Sequence, residues 1–275
     1  MNRFAICNEI FKSWPLEDAF SFIAKTGYDA VEIAPFTLAP LVTDIPANRR
    51  TGIRELAKRN GLSISAIHWV LAQTQGLQIT SKDAEIRKRT AAYLVDLVNF
   101  CSDIGGRFMV FGSPKQREIE AGTSPKQAWD WATGVIAEVI KRAEDREITF
   151  CFEPLGPGET NFINRAKDAI DFIKQFKSPR AKIILDVKAM SSEGTPIPQI
   201  LKESWPHFAY VHANDPNLKG PGFGNVDFTP IASTLKSIGY SGYVSVEVFD
   251  FTEGPEVIAT KSLECLKTAF AAPTK

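Results

Sequence analysis

Apolar residues fall along this chain in two recurring patterns. Short runs, each bounded by polar or turn-forming positions, occur at RFAIC (3–7), AVEI (30–33), LSISAIH (62–68), RFMVF (107–111), TFCFE (149–153), KIILD (182–186), FAYVH (208–212) and YVSVE (243–247). Their length and their Val, Ile and Phe content predict strands. Longer segments lie between them, the clearest being AAYLVDLVNFCSDIG and AWDWATGVIAEVIKRAED. Apolar positions there recur at i, i+3, i+4 and i+7, the period of a helix with one buried face. Pro125 opens such a segment, and Gly27, Gly61, Gly105 and Gly239 follow the ends of others, which is the usual punctuation of helices. A helix–Gly–strand unit repeats in KTGYDAVEI, KRNGLSISAI, SDIGGRFMV and KSIGYSGYVSV without close identity. Eight strands, each followed by a helix, in roughly 250 residues predict a (β/α)8 barrel. The rival open doubly wound sheet carries a glycine-rich phosphate loop after its first strand, whereas CNEIFKSW follows here. No Pro/Gly/Ser-rich linker divides the chain, so a single α/β domain over residues 1–275 is expected.

Charge narrows the function. Lys+Arg and Asp+Glu both number 32, so the excess of basic groups that a nucleic-acid surface needs is missing. Cys7, Cys101, Cys151 and Cys265 form no CxxC pair, which argues against a zinc finger or a redox motif. The N-terminal MNRFAICNEIFKSW is interrupted by Glu9 and Lys12 before an apolar core of signal-peptide length. No apolar stretch is long enough to span a membrane. A soluble cytoplasmic protein with free thiols is expected.

In a barrel of this kind the chemistry sits at the C-terminal ends of the strands. Strand five ends in Glu153, strand six in Asp186, strand seven in His212 and strand eight in Glu247, at spacings of 33, 26 and 35 residues. Each spacing is one strand–helix unit. Alternation along the strands turns Cys151 and Ser245 inward with the two glutamates, and turns Phe150, Phe152, Val244, Val246 and Val248 toward the helices. Three carboxylates and one imidazole make a hard, oxygen-rich set. It suits one divalent ion such as Mn2+, Mg2+ or Co2+, with Zn2+ acceptable in crystals. The bland alternative is a salt-bridge network with Lys182, Lys188 and Lys219.

The segments FEPLGPGETNF, ILDVKAM, VHANDPNLKGPGFGNVDF and SVEVF resemble the motifs of the xylose isomerase-like TIM-barrel family of sugar and sugar-phosphate isomerases and epimerases. The similarity covers essentially the whole chain. In ketose 3-epimerases of that family the corresponding residues hold one divalent metal, and the two glutamates move protons on opposite faces of the sugar. The resemblance therefore implies that Glu153 and Glu247 are metal ligands and acid/base groups, and that Asp186 and His212 are ligands. It implies a sugar or sugar-derived substrate, and a homodimer or homotetramer.

The likeness is uneven. Glu159 stands where those epimerases have a substrate-contacting glutamate, and Thr160-Asn161 continue the pattern, but Gly156-Pro157 replace the usual Asn-Arg. Ala189 replaces a histidine three residues after Asp186, and Leu218, beside Lys219, replaces an arginine. The metal positions match while the substrate-polarising ones do not.

Other candidates come from position. Lys188 shares the parity of Asp186, so continued strand geometry aims its ammonium at the metal site; alternatively it pairs with Glu159 or Asp215. His68 ends strand three, Trp69 follows it, and both are expected to contact substrate. Glu32 ends strand two and is a further candidate, with Asn8 and Glu9 after strand one weaker ones. His207 precedes strand seven and is read as structural. The loop over 214–228 holds three glycines and two prolines; it is expected to act as a lid, with Asp215 and Lys219 toward substrate.

These residues support a sugar isomerase or epimerase that abstracts a proton and passes through an enediolate. The alternatives are a lyase of the same fold (a dehydratase or 3-keto-sugar hydratase) and a non-catalytic sugar-binding protein. A DNA-repair endonuclease of related fold needs more histidines than the three present.

Overall fold

The computed structural model describes residues 2–272. Eight parallel strands close in sequence order into a barrel: β1 (Arg3–Cys7), β2 (Ala30–Ile33), β3 (Ser63–Ile67), β4 (Phe108–Phe111), β5 (Thr149–Phe152), β6 (Ala181–Asp186), β7 (Phe208–Ala213) and β8 (Tyr243–Val246). The helices are α1 (Leu16–Thr26), α2 (Ala47–Arg59), α3 (Ala84–Asp103), α4 (Pro125–Asp145), α5 (Ala166–Lys174), α6 (Val187–Ser191), α7 (Ile197–Ser204), α8 (Phe228–Ser237) and α9 (Pro255–Ala271). The eight apolar runs are thus the eight staves, and β6 alone is followed by two helices. The helix ends obey local chemistry. Ser124 and Gln127 cap α4 reciprocally with Pro125 in its first turn, and Gly27 closes α1 at φ 99°, a conformation that a side chain disfavours.

Three strands stop one residue before the end of their apolar runs. His68, Glu153 and Glu247 lie one residue beyond β3, β5 and β8. Each keeps a last ladder bond, from His68 N to Ile33 O (3.1 Å), Glu153 N to Phe111 O (3.2 Å) and Glu247 N to Ala213 O (3.3 Å). The backbone leaves the sheet there, but the side chains keep the direction that the strand imposed.

The alternation is as the sequence predicted. Phe150, Phe152, Val244, Val246 and Val248 join the core between sheet and helices, while Cys151 belongs to a separate cluster inside the barrel. That inner cluster pairs small residues with large ones: Ala5, Ala30 and Ala66 on β1–β3 leave room for Tyr210 and Tyr243, with Phe108 packed against them. This apolar floor fills the lower barrel and leaves the polar interior positions at the upper end.

Candidate metal centre and active site

Strand register assembles the upper layer. Asp186 pairs directly with His212 across β6 and β7, and His212 with Ser245 across β7 and β8. Glu153, Asp186, His212 and Glu247 each offer a donor atom, and these atoms all lie within 4.8 Å of one another. All four residues are buried. Glu153, Asp186 and Glu247 form part of the wall of a cavity of about 200 Å3 at the barrel mouth, so the cluster opens to a ligand.

His212 is oriented by what lies behind it. Its Nε2 donates to Glu32 Oε1 at 3.0 Å, which leaves Nδ1 facing Glu247 Oε2 at 3.1 Å and Glu153 Oε1 at 3.7 Å. Nδ1 makes no aligned hydrogen bond. A carboxylate on one ring nitrogen and an open site at the other is the usual arrangement behind a metal-binding histidine. Burial disfavours a charged His212, yet Glu247 and Glu32 raise its pKa well above the ordinary range. The surrounding carboxylates thus favour positive charge at that ring, and a divalent cation could take the proton's place there. Asp186 tells the same story: burial, then Glu153 and Glu247, raise its pKa. Crowded carboxylates with one imidazole nitrogen lacking a hydrogen-bond partner fit a hard divalent ion.

Neighbouring residues fix these ligands. Asp186 Oδ1 caps α6 by accepting from Ala189 N at 2.7 Å, and its Oδ2 accepts from the Asn214 amide. Asn214 Oδ1 in turn accepts from Lys188 N at 2.8 Å, so one side chain ties the end of β7 to the turn after β6. A Cβ at Gly112 would lie 1.8 Å from Glu153 Oε2; only glycine lets that carboxylate occupy its position. Arg117, fully buried, donates to the carbonyls of Ser113, Phe111 and Glu153. Its guanidinium also lies 4.9 Å from the Phe111 ring and 4.5 Å from the Phe152 ring.

A second group of buried polar residues adjoins the cluster. His68 Nε2 is 2.6 Å from Glu9 Oε2 and 3.9 Å from Glu247 Oε1. Burial lowers the His68 pKa, but Glu9 and Glu32 outweigh it and raise the ring to about 9. Glu32 is the hub. Burial raises its pKa, but His212 and His68 on either side pull it down to about 2. Its Oε2 also accepts from the Tyr210 hydroxyl at 3.0 Å.

Several expectations need correction. Glu32 has no exposed surface and lies outside the wall of the mouth cavity; its carboxylate pairs with His212. His68 is likewise fully buried, with Nε2 3.9 Å from Glu247 Oε1. Asp215 organises its own loop by accepting from Val226 N at 2.9 Å and from Asn217 N at 3.3 Å, with Gly224 packed closely over its carboxylate. Lys219 pairs with Glu253 at 2.7 Å and approaches Asp250 at 3.9 Å, away from the mouth cavity. Lys182 donates to Pro206 O at the opposite end of β6. The salt-bridge alternative for the carboxylate cluster thus loses both of these lysines. Strand parity does not extend to Lys188, because α6 begins at Val187.

Trp69, Glu159 and Lys188 do reach the mouth, together with Leu155, Leu218 and Phe249. Lys188 Nζ is 2.6 Å from Glu159 Oε1 and 4.7 Å from the centre of the Phe249 ring. Burial lowers the Lys188 pKa, but Asp186 and Glu159 outweigh it and keep the ammonium charged. Gly112, Arg117, Asn214 and Phe249 were missed in the sequence. The first two lie in FGSPKQR, and a glycine directly after a strand is the one signal that marked it.

A closed barrel with converging carboxylates and an imidazole at its C-terminal mouth is the architecture of a barrel enzyme's active site. The chain belongs to the xylose isomerase-like TIM barrel family, whose pattern matches residues 20–269. It is 29% identical over 229 residues to a D-psicose 3-epimerase of Ruminiclostridium cellulolyticum, covering 82% of this chain and 76% of that one. It is 26% identical over 240 residues to an L-ribulose 3-epimerase of Mesorhizobium japonicum, covering 85% and 75%. The crystal structure of D-psicose 3-epimerase with D-tagatose from Clostridium cellulolyticum H10 superposes with a TM-score of 0.84 at 22% identity, covering 98% of this chain and 99% of that one.

Proposed function

We propose that this protein is a divalent-metal-dependent sugar epimerase or isomerase that moves a proton at a carbon beside a carbonyl. The observation that carries the reading is the convergence of Glu153 and Glu247, from β5 and β8, on His212 Nδ1 at 3.7 and 3.1 Å. The names of the curated relatives, ketose 3-epimerases, support the same chemistry.

Glu153, Asp186, His212 and Glu247 would hold the ion, with Mn2+, Mg2+ or Co2+ suited to the oxygen-rich set. When bound, it supplies Lewis-acid polarisation of the sugar carbonyl and lowers the acidity barrier of the adjacent C–H. The two glutamates do the proton work. They come from β5 and β8, with the ligands of β6 and β7 between them, so each approaches a bound sugar from its own side. One, ionised, removes the proton and leaves an enediolate; the other, protonated, delivers its own proton from the opposite side, which inverts the carbon, and exchange with solvent resets the pair. Return to the neighbouring carbon gives isomerisation. Glu32 keeps His212 oriented, and Trp69 and Phe249 supply apolar wall. Lys188 and Glu159 offer a charged donor and acceptor to hydroxyl groups at the mouth.

A second reading, a lyase that expels a β-hydroxyl after the same proton abstraction, is favoured by Lys188, a charged donor within the cavity wall. Incubating the manganese-loaded protein with keto-sugars in D2O separates them. Deuterium next to the carbonyl with the carbon skeleton and mass otherwise retained supports the epimerase; loss of water supports the lyase. Absence of both for every keto-sugar favours a non-catalytic sugar-binding protein.

A further inference from the structure

Trp69 also borders a second cavity of about 260 Å3, with Ala72, Gln73, Lys115 and Gln116 in its wall. Trp69 and Pro114 belong to the walls of both. The inner space, at about 200 Å3, is below the roughly 300–1,000 Å3 common for small-molecule sites, whereas the two taken together fall inside that range.

The outer space is a built feature. It lies between the turn after β3 and the loop after β4, and those segments are joined by Leu71 N donating to Ser113 Oγ at 3.0 Å and Ile79 N donating to Gln116 O at 2.9 Å. Trp69 has φ 51° and Gln73 φ 64°. Left-handed backbone at a bulky residue costs on the order of 1–3 kcal/mol and persists where the surroundings enforce it. Here it sets the indole on the boundary between the cavities, with its ring centre 5.7 Å from that of Phe249 and 5.9 Å from that of Phe36. An aromatic ring held this way offers a flat apolar face to the C–H side of a sugar ring. The amides of Gln73 and Gln116 and the Lys115 ammonium bring the donors and acceptors that hydroxyl groups require.

Building on the reading above, we propose that the outer cavity is a second sugar subsite and that the substrate is a keto-sugar joined to a further ring. The reacting sugar occupies the inner cavity beside Glu153 and Glu247. The attached ring passes Trp69 and lies among Ala72, Gln73 and Gln116. A free monosaccharide fills the inner cavity alone and leaves the outer one to water. Binding energy from the remote ring then serves to hold the reacting carbon between the glutamates.

The test follows deuterium exchange beside the carbonyl by NMR, with the manganese-loaded full chain in D2O. Fructose is compared with turanose, lactulose and isomaltulose, which are fructose carrying a second hexose at different hydroxyls. The quantity read is the ratio of kcat/KM for a disaccharide to that for fructose. At least one disaccharide should give a ratio of about ten or more, and Ala72→Phe, which fills the outer space, should lower that ratio about tenfold. If Ala72→Phe fails to fold, as judged by its thermal transition, Gln116→Ala should lower the same ratio. A ratio of one or below for all three disaccharides overturns the subsite while fructose exchange upholds the proton-transfer reading. A ratio unmoved by the folded variant also overturns it. No exchange with any of the four sugars removes the proton-transfer reading and the subsite with it.

Discussion

At the scale of single residues, each candidate ligand is defined as much by the group behind it as by its own type. His212 is aimed by Glu32, Asp186 by Asn214 and the first turn of α6, and Glu153 by the empty space at Gly112. Glu247 stands most directly between cavity and imidazole. Replacing it with Gln preserves shape and removes the base, so Glu247→Gln should lower deuterium exchange about 10²–10⁴-fold with little change in thermal midpoint. Equal exchange rates for wild type and variant would exclude Glu247 from proton transfer. His68 carries a pH signature of its own. Its folded pKa, about 9, lies above the ordinary 6.5. The folded state therefore binds the proton more tightly than the unfolded one. The resulting stability is full below about pH 6.5 and disappears as pH rises through about 9. Melting curves of the metal-free protein should show a loss across that window that is smaller in His68→Gln.

At the scale of elements, the active end is held together where strands become loops. Arg117 is the clearest instance. It sits in the short segment after β4 and binds the carbonyls of Phe111 and Glu153, the last residue of one strand and the first beyond the next. Arg117→Met keeps much of the apolar packing against Phe111 and Phe152 but leaves the carbonyls of Ser113 and Glu153 without that donor, while Phe111 O still accepts from Glu153 N. At about 1–3 kcal/mol for each unsatisfied group, urea unfolding should reveal a loss of about 2 kcal/mol or more. Arg117→Lys should recover little, because one ammonium cannot reproduce the planar fork. A variant as stable as wild type would mean that the segment after β4 is fixed by other contacts. The start of α6 is equally local in cause and large in effect. Asp186 ends β6 and caps the helix at once, so Lys188 leaves the strand direction and turns toward Glu159.

At the scale of the whole molecule, the barrel gathers negative charge at one end of its interior and leaves it incompletely neutralised by His68 and His212. A divalent cation bound only by the folded chain should raise its stability by about 2.7 kcal/mol at a hundredfold excess over Kd. That corresponds to about 5–10 °C in Tm. Chelation should reverse the gain, and Asp186→Asn should abolish most of it; a Tm indifferent to manganese and chelator alike would count against the metal. The sequence alone determined the eight-stave barrel and the strand-end positions of Glu153, Asp186, His212 and Glu247, because alternation and helical period are written locally and a strand fixes which way each side chain points. Only the closed structure decided the partners. Glu32 meets His212 across 180 positions, Lys219 is drawn to Glu253, and the two cavities meet at Trp69, since such encounters depend on how far each loop travels after its strand ends. Loops lack the periodicity that makes strands legible, so the candidate ligand positions could be read from the chain, whereas the shape of the space for substrate required the fold.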